Sequence, residues 1–283
     1  MKYVITGATG HLGTQITTEL TRLVNPDDVS LGVHTLRKAM MWATLGIDIN
    51  QIDYSDESSL TKLLDNADVF IYVPSKSHDS YSRVTELEHV IAAAQQAHVK
   101  QLIAMGFIAD QANNPFDLSA FYGYLPRRLA ASGLHYTILR NALYADPLIP
   151  YLPELIERQH VIYPVGDQSL SFISQTDSAK AFAKVATTPS LQNHVYTLTQ
   201  ARNYSMPELA AVLSDVSGQP ITYQPVTATE FEKMYNQGNE GHMLSSMYAG
   251  GAMGLLDTVS DDYQTIMGHE ATPLKEFLQQ SYQ

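Results

Sequence analysis

Three glycines at the start of the chain have a spacing that could do chemistry. Gly7, Gly10 and Gly13 form a Gly-x-x-Gly-x-x-Gly pattern inside Thr6-Gly7-Ala8-Thr9-Gly10-His11-Leu12-Gly13. The apolar run Tyr3-Val4-Ile5 precedes them, and the stretch from Ile16 to Leu23 follows with apolar residues at helical spacing. Strand, glycine turn, helix is the context in which a backbone grips phosphate. Gly7 permits the tight turn, Gly10 lets the backbone approach a pyrophosphate, and Gly13 lets the helix pack close to the strand. The N–H groups at the helix start then face the phosphates, where the helix dipole favours negative charge.

Such a turn needs a sheet behind it, and the following residues supply one. Short apolar runs predict strands at 29–34, 47–52, 69–73, 102–105 and 136–139. Helical patterns fill the gaps at 36–46, 57–66, 80–98 and about 124–132. Near-continuous apolar strands of this length fit a parallel sheet covered on both faces, and repeated β-α units give a doubly wound Rossmann sheet. After Tyr144 a proline-rich transition through Pro147, Pro150 and Pro153 breaks the alternation. A helix at 176–187 and a strand at 195–198 are expected to return to the main sheet as its seventh strand. The rest, from about 203, reads as mostly helical, with Ser205 capping a helix and Glu208 at the capping-box position. The expected fold class is therefore α/β, with a smaller, mostly helical C-terminal substrate domain. The dinucleotide-binding domain is expected at 1–146, with 176–200 returning to it. Residues 147–175 and 201–283 form the smaller part.

Composition narrows the possibilities. The 283 residues are 45% hydrophobic and 16% charged, so a buried core is easily built. The net charge of −12 disfavours a phosphate backbone as partner, so no nucleic acid is expected. The sequence has no cysteine, which excludes disulfides and thiolate catalysis and suits a reducing compartment. A strand begins at residue 3, so no signal peptide is expected. No apolar run approaches the roughly 20 residues of a membrane span, and a cytoplasmic protein is the reading. The ten histidines show no metal-ligand spacing, so no metal is expected.

In a doubly wound sheet the ligand sits at the carboxyl ends of the strands. Those ends are His34-Thr35, Asp53, Pro74-Ser75, Gly106-Phe107 and Asn141. The space beyond them is expected to be walled by Phe107, Tyr122 and Tyr144, with Asn141 as its polar group. That wall favours a flat aromatic acceptor over a sugar, whose hydroxyls would need several polar partners. Met243 and Met247, near Met253 and Tyr248, have two readings: core filling, or an adaptable apolar lid over the substrate.

Three further stretches carry a family resemblance: Ile138-Leu139-Arg140-Asn141-Ala142-Leu143-Tyr144, the segment from Tyr163 to Ala179, and Ile221 to Val226. Together with the glycine turn they resemble the NmrA-like group of atypical short-chain dehydrogenases, in its quinone oxidoreductase and triphenylmethane reductase branch. The resemblance implies that Gly7, Thr9, Gly10, His11, Leu12 and Gly13 hold the cofactor phosphates. It places Asp53 at the adenine, and Val73, Pro74 and Ser75 under the ribose and nicotinamide. Gly106 ends the strand beside the nicotinamide, and Asn141 and Tyr144 line the cleft. The branch usually has an arginine at the end of strand two to pair with the 2′-phosphate of NADP, and this chain has His34. It also lacks there the acidic residue of an NAD site. Arg37 and Lys38 are the nearby cations, so NADP(H) is expected over NAD(H).

The catalytic pattern of the wider superfamily is missing. A tyrosine with a lysine four residues later occurs only as Tyr72 and Lys76, at the end of a strand. Tyr124 and Arg128 keep the spacing with arginine in place of lysine. Where the branch has histidine, threonine and glutamate, this chain has Tyr122, Leu125 and Pro126. No catalytic residue is assigned; Tyr122 is a candidate proton donor and also reads as an aromatic wall. The leading expectation is an NAD(P)H-binding reductase of a small aromatic acceptor such as a quinone. The alternatives are a non-catalytic NAD(P)-binding, redox-sensing regulator and, more weakly, a nucleotide-sugar epimerase. The expected partners are the small substrate and, as one oligomeric state, a second copy in a homodimer.

Overall fold

The computed structural model describes residues 1–235 and 240–282. Strand and helix alternate in it as β1 (Tyr3–Thr6), α1 (His11–Leu20), β2 (Val29–Val33), α2 (Met40–Ala43), β3 (Asp48–Gln51), α3 (Glu57–Leu63), β4 (Val69–Tyr72), α4 (Ser80–Gln96), β5 (Gln101–Phe107), α5 (Ser119–Ala130) and β6 (Tyr136–Asn141). Next come β7 (Leu143–Tyr144), α6 (Leu148–Arg158), β8 (His160–Val161), β9 (Ser169–Ile173), α7 (Gln175–Thr187) and β10 (Val195–Leu198). The remainder carries β11 (Asn203–Ser205), α8 (Met206–Ser217), β12 (Thr222–Tyr223), α9 (Ala228–Met234), α10 (Glu240–Ala252), α11 (Asp262–Met267) and α12 (Leu274–Ser281).

Seven strands form the main sheet in the order β10-β6-β5-β4-β1-β2-β3. β1 pairs in parallel with β2 and β4, β2 with β3, and β4 with β5. Every residue of β1, β2 and β4 is buried, as strands covered on both faces must be. β3, at the edge, exposes Asp48 and Gln51. The chain runs outward from β1 to β3, then returns to the other side of β1 with β4. The strand order therefore reverses between β1 and β4, which is where a doubly wound sheet opens a crevice for a ligand. The fold is the α/β doubly wound sheet that the apolar runs predict, with β10 as its seventh strand.

The chain divides into two compact units: 1–106, 123–140 and 175–196 form the first; 107–122, 141–174 and 197–283 the second. The second unit has two small sheets, β11-β9-β7 and β12-β8. Among the described residues no helix is long and apolar enough to cross a membrane.

Several local expectations are corrected. Residues 36–46 are not one helix but a 3-10 turn, Leu36–Ala39, followed by the single turn of α2. Thr35 makes no side-chain cap, and within Leu36–Ala43 only Ala39 and Trp42 are buried, too little apolar contact to sustain a longer helix. The proline-rich transition is itself a helix, α6, with Pro153 inside it. Burial of Leu148, Leu152 and Leu155 on one face outweighs the hydrogen bond that Pro153 removes. α5 begins at Ser119, earlier than expected, and carries Pro126 in its interior. Short strands β11 and β12 interrupt the mostly helical C-terminal region.

The cap of α8 is as expected. Glu208 N–H donates to Ser205 Oγ at 3.4 Å, and the Glu208 carboxylate accepts from Ser205 N–H at 2.9 Å and Ser205 Oγ at 2.8 Å. These bonds, with Arg202 beside the carboxylate, lower the Glu208 pKa to about 2. A depressed folded-state pKa stabilises the protein above the unfolded value of 4.5, and that stabilisation fades as pH falls toward 2. Ser205→Ala should cost about 1 kcal/mol at neutral pH in urea unfolding. Glu208→Gln should also destabilise at neutral pH, and its difference from wild type should vanish between pH 4.5 and about pH 2.

Candidate functional site

The turn after β1 is fixed by contacts that no side chain could survive. Gly7 has φ +66°, and a Cβ there would lie 2.9 Å from the Val73 carbonyl oxygen. The Gly10 N–H donates to the Gly7 carbonyl at 3.0 Å and closes the turn. A Cβ on Gly13 would lie 2.2 Å from the Gly7 carbonyl oxygen and 2.7 Å from its carbon. Gly10 is different. Its φ of −80° suits any residue, and a Cβ there would meet only the Gly7 oxygen, at 3.3 Å. A Cβ there would press on that one carbonyl and on nothing else, so glycine at position 10 leaves the backbone bare on an otherwise open face. Gly10 is also the N-cap of α1, with no side-chain cap bond and no acidic residue in the first helical turn. The first N–H groups of a helix have no intrahelical acceptors, so this bare, acid-free end is built for an anion.

A cleft of about 560 Å³ opens over this turn within the first unit. On the β2–β3 side it is lined by His34, Thr35, Lys38, Asp53 and Tyr54; at its centre by Gly7, Thr9, Gly10, His11, Leu12 and Gly13. On the β4 side it is lined by Val73, Pro74, Ser75, Lys76 and Glu86, with Gln175 from the start of α7. Three residues expected at the cofactor lie outside this lining. Arg37 is exposed on the same 3-10 turn as Lys38. Gly106 packs against β6, where a Cβ would lie 2.9 Å from Ile138 Cγ2. Asn141 is fully buried in the second unit, its carbonyl accepting from Ile108 N–H at 3.0 Å. Thr35 was expected at the end of the second strand and lines the cleft. Sequence reasoning missed Gly32, Val33, Ile52, Tyr54, Lys76, Glu86 and Gln175. The first five are next to, or within two residues of, expected residues, so the strand-end rule could have found them. Glu86 and Gln175 arrive from α4 and α7, and no spacing announces them.

The polar groups of the cleft are held by local bonds. The Asp53 carboxylate accepts from Ser55 N–H at 2.8 Å and Ser55 Oγ at 2.7 Å, and these bonds, with His34 nearby, lower its pKa. The Tyr54 hydroxyl donates to the Val73 carbonyl at 2.7 Å; burial raises its pKa, so it stays a neutral phenol. His34 Nδ1 lies 3.4 Å from Thr35 Oγ1.

The tyrosines with catalytic spacing are otherwise engaged. Tyr72 is fully buried in β4, edge-on to the Tyr54 ring at 5.8 Å, while Lys76 is exposed. The Tyr124 hydroxyl donates to Glu88 Oε1 at 2.6 Å, and Arg128 Nε binds both oxygens of the same carboxylate at 2.8 and 2.9 Å. The bond to Glu88 raises the Tyr124 pKa, opposite to the lowering that a tyrosine acid–base needs near neutral pH. In the second unit Tyr122 is buried, with the Phe107 ring at 5.4 Å and the Phe116 ring stacked on it at 6.5 Å. Tyr248 stacks on Tyr163 at 4.7 Å and meets Phe231 edge-on at 5.2 Å; Met243 and Met247, on the same helix α10, are half-buried. Tyr144, also half-buried, pairs with Ile173 through β7 and β9. Among the described residues no cluster of three or more histidine or acidic side chains could hold a metal ion.

Comparison with known proteins agrees with this architecture. The model of the NmrA-like family matches residues 2–278. Quinone oxidoreductase 2 of Escherichia coli (strain K12) is 30% identical over 276 residues, 96% of each chain. The solved structure of a Staphylococcus aureus protein described as a nucleoside-diphosphate-sugar epimerase is 38% identical, with a TM-score of 0.94 over 99% of this chain and 100% of that one. The Citrobacter sp. triphenylmethane reductase complexed with NADP(H) is 26% identical, with a TM-score of 0.92 over 99% and 100%. The chain belongs to the NmrA-like family of atypical short-chain dehydrogenases. Within that family it is an oxidoreductase of the quinone reductase branch.

Two substitutions check the site. Gly13→Ala forces Cβ into the Gly7 carbonyl and should cost at least about 2 kcal/mol in urea unfolding, as severe backbone conflicts do. Tyr124→Phe should lose only about 1 kcal/mol of stability, the worth of one hydrogen bond, and leave turnover unchanged.

Proposed function

We propose that the chain binds NADP(H) in the cleft of the first unit and reduces a small aromatic acceptor such as a quinone or a dye. The observation that carries this reading is the bare Gly10 backbone over an uncapped, acid-free helix N-terminus, at the point where the strand order reverses. A pyrophosphate fits there because it accepts from N–H groups that have no intrahelical acceptor. Gly7, Thr9, Gly10, His11, Leu12 and Gly13 would hold it. Lys38, with His34 and Thr35 beside it, would take the 2′-phosphate, and Asp53 the adenine side. An NAD site uses a carboxylate after the second strand, and residue 34 is histidine. The NADP(H) complex of the Citrobacter relative supports the phosphorylated cofactor.

When bound, the cofactor supplies a hydride, which with one proton from water converts a quinone to its hydroquinone. Such an acceptor needs orientation more than an acid–base pair, and orientation can supply much of the barrier reduction. That suits a chain in which Tyr124 is tied to Glu88 and Tyr122 is packed between rings. Phe107, Tyr144, Met243 and Met247, all half-buried, are the residues we assign to the acceptor; Tyr122 and the fully buried Asn141, expected there, are packed inside the second unit. The names of the E. coli and Citrobacter relatives support quinones and dyes as the class to test.

The test is oxidation of NADPH by a panel of simple quinones and dyes. Sustained turnover supports the reading. Tight NADPH binding with no turnover across the panel would establish the regulator instead, and conversion of a nucleotide sugar would favour the chemistry named for the S. aureus relative. In calorimetric titrations Lys38→Ala should weaken NADPH about tenfold and leave NADH nearly unchanged, as expected for one exposed cation on a phosphate. Arg37→Ala, outside the cleft lining, should have the smaller effect.

A further inference from the structure

The carboxylates in the cleft lining are Asp53 and Glu86. Asp53 is turned into its own loop by Ser55. Glu86, from α4, is not. Its Oε1 accepts from Ser77 Oγ at 2.9 Å, and its Oε2 is buried with no hydrogen-bond partner among the described residues. Ser77 Oγ lies 3.0 Å from Ser75 Oγ, and Ser77 N–H donates to Ser75 Oγ at 3.1 Å. Arg83 Nε donates to the Ser77 carbonyl at 2.7 Å and pins the loop.

The direction of this chain is fixed at one end. A carboxylate only accepts, so Ser77 must donate to Glu86, and Ser75 must then donate to Ser77. Ser75 Oγ has thereby spent its proton, and one lone pair already takes the Ser77 N–H. The lone pair left over belongs to a half-buried residue that lines the cleft. It can only accept. The chain polarises it toward the Glu86 carboxylate, so it is a strong acceptor. Phosphate oxygens cannot satisfy it, because they have no proton to give. A hydroxyl can.

We infer that Ser75, Ser77 and Glu86 form a hydrogen-bond chain that holds a hydroxyl of the ribose carrying the nicotinamide. The placement follows from the sheet. Ser75 follows β4, on the opposite side of β1 from His34 and Lys38, which lie after β2. With the pyrophosphate over the glycine turn between them, the adenosine ribose falls to the β2 side and the nicotinamide ribose to the β4 side. The chain replaces, at the other end of the cofactor, the ribose-binding carboxylate that β2 lacks. Ser75 touches the cofactor; Ser77 and Glu86 act through it as positioning residues. The inference rests on the cofactor reading proposed above.

The test compares NADPH with adenosine 2′,5′-bisphosphate, which has no nicotinamide ribose. Both are titrated calorimetrically into wild type, Ser77→Ala, Glu86→Gln and the double variant. Each single substitution should weaken NADPH about five- to tenfold, the usual worth of a hydrogen bond to a polarised group, and leave the bisphosphate within about twofold. The double variant should be no weaker than Ser77→Ala, because the chain acts as one unit. Unchanged NADPH affinity in both single variants would overturn the chain alone, and so would equal weakening of both ligands. If wild type binds neither ligand, the cofactor reading falls and this inference with it.

Discussion

The first turn of α1 comes so near the Gly7 carbonyl that residue 13 can carry no side chain. Much of the site depends on that approach. It draws the helix N-terminus over the end of β1, the strand beside which the sheet changes direction. The close packing fixes where the unpaired N–H groups sit, and the left-handed turn at Gly7 fixes which way they point. Gly10 spares the Gly7 carbonyl one close contact, at 3.3 Å, and otherwise faces open space, so its main contribution is to keep the backbone reachable.

Around that anion seat the cleft is graded. Lys38, His34 and Thr35 gather on the β2 side, and a serine–serine–glutamate chain stands on the β4 side. Neither end offers the tyrosine–lysine pair of the wider superfamily. The one tyrosine with comparable helical spacing, Tyr124, is held by Glu88 and Arg128 in a bond that makes its proton harder to remove. A protein so furnished is suited to binding and orienting a cofactor rather than to acid–base chemistry of its own.

The fold was legible wherever apolar residues recurred with a clear period. The strands of the main sheet read directly, and Ser205 with Glu208 marked the start of α8 three residues apart. Legibility failed where a local rule was outvoted by packing. Prolines at 147, 150 and 153 argue against a helix, yet the buried leucine face of α6 carries one through them. Leu36 to Leu45 looks helical, yet buries too little to remain so. In the site, Gly7 and Gly13 were legible because each answers to one steric demand, and Gly10 because a phosphate needs a bare backbone between them. His34, Lys38 and Ser75 were legible because they stand at or just beyond strand ends. Glu86 and Gln175 were not, since they reach the cleft from helices far along the chain and only the tertiary fold brings them there. Arg37 was expected beside Lys38, but on the short turn that replaces the expected helix only Lys38 joins the cleft lining.

Everything proposed for the cleft depends on the N–H groups at the start of α1 receiving the cofactor phosphates. Backbone amide resonances of His11, Leu12 and Gly13 during titration with NADPH test this most directly. These three amides should shift strongly and saturate together with binding, as amides do on gaining charge-assisted hydrogen bonds to phosphate. Saturable NADPH binding that leaves these amides in place while others move would contradict that placement of the phosphates.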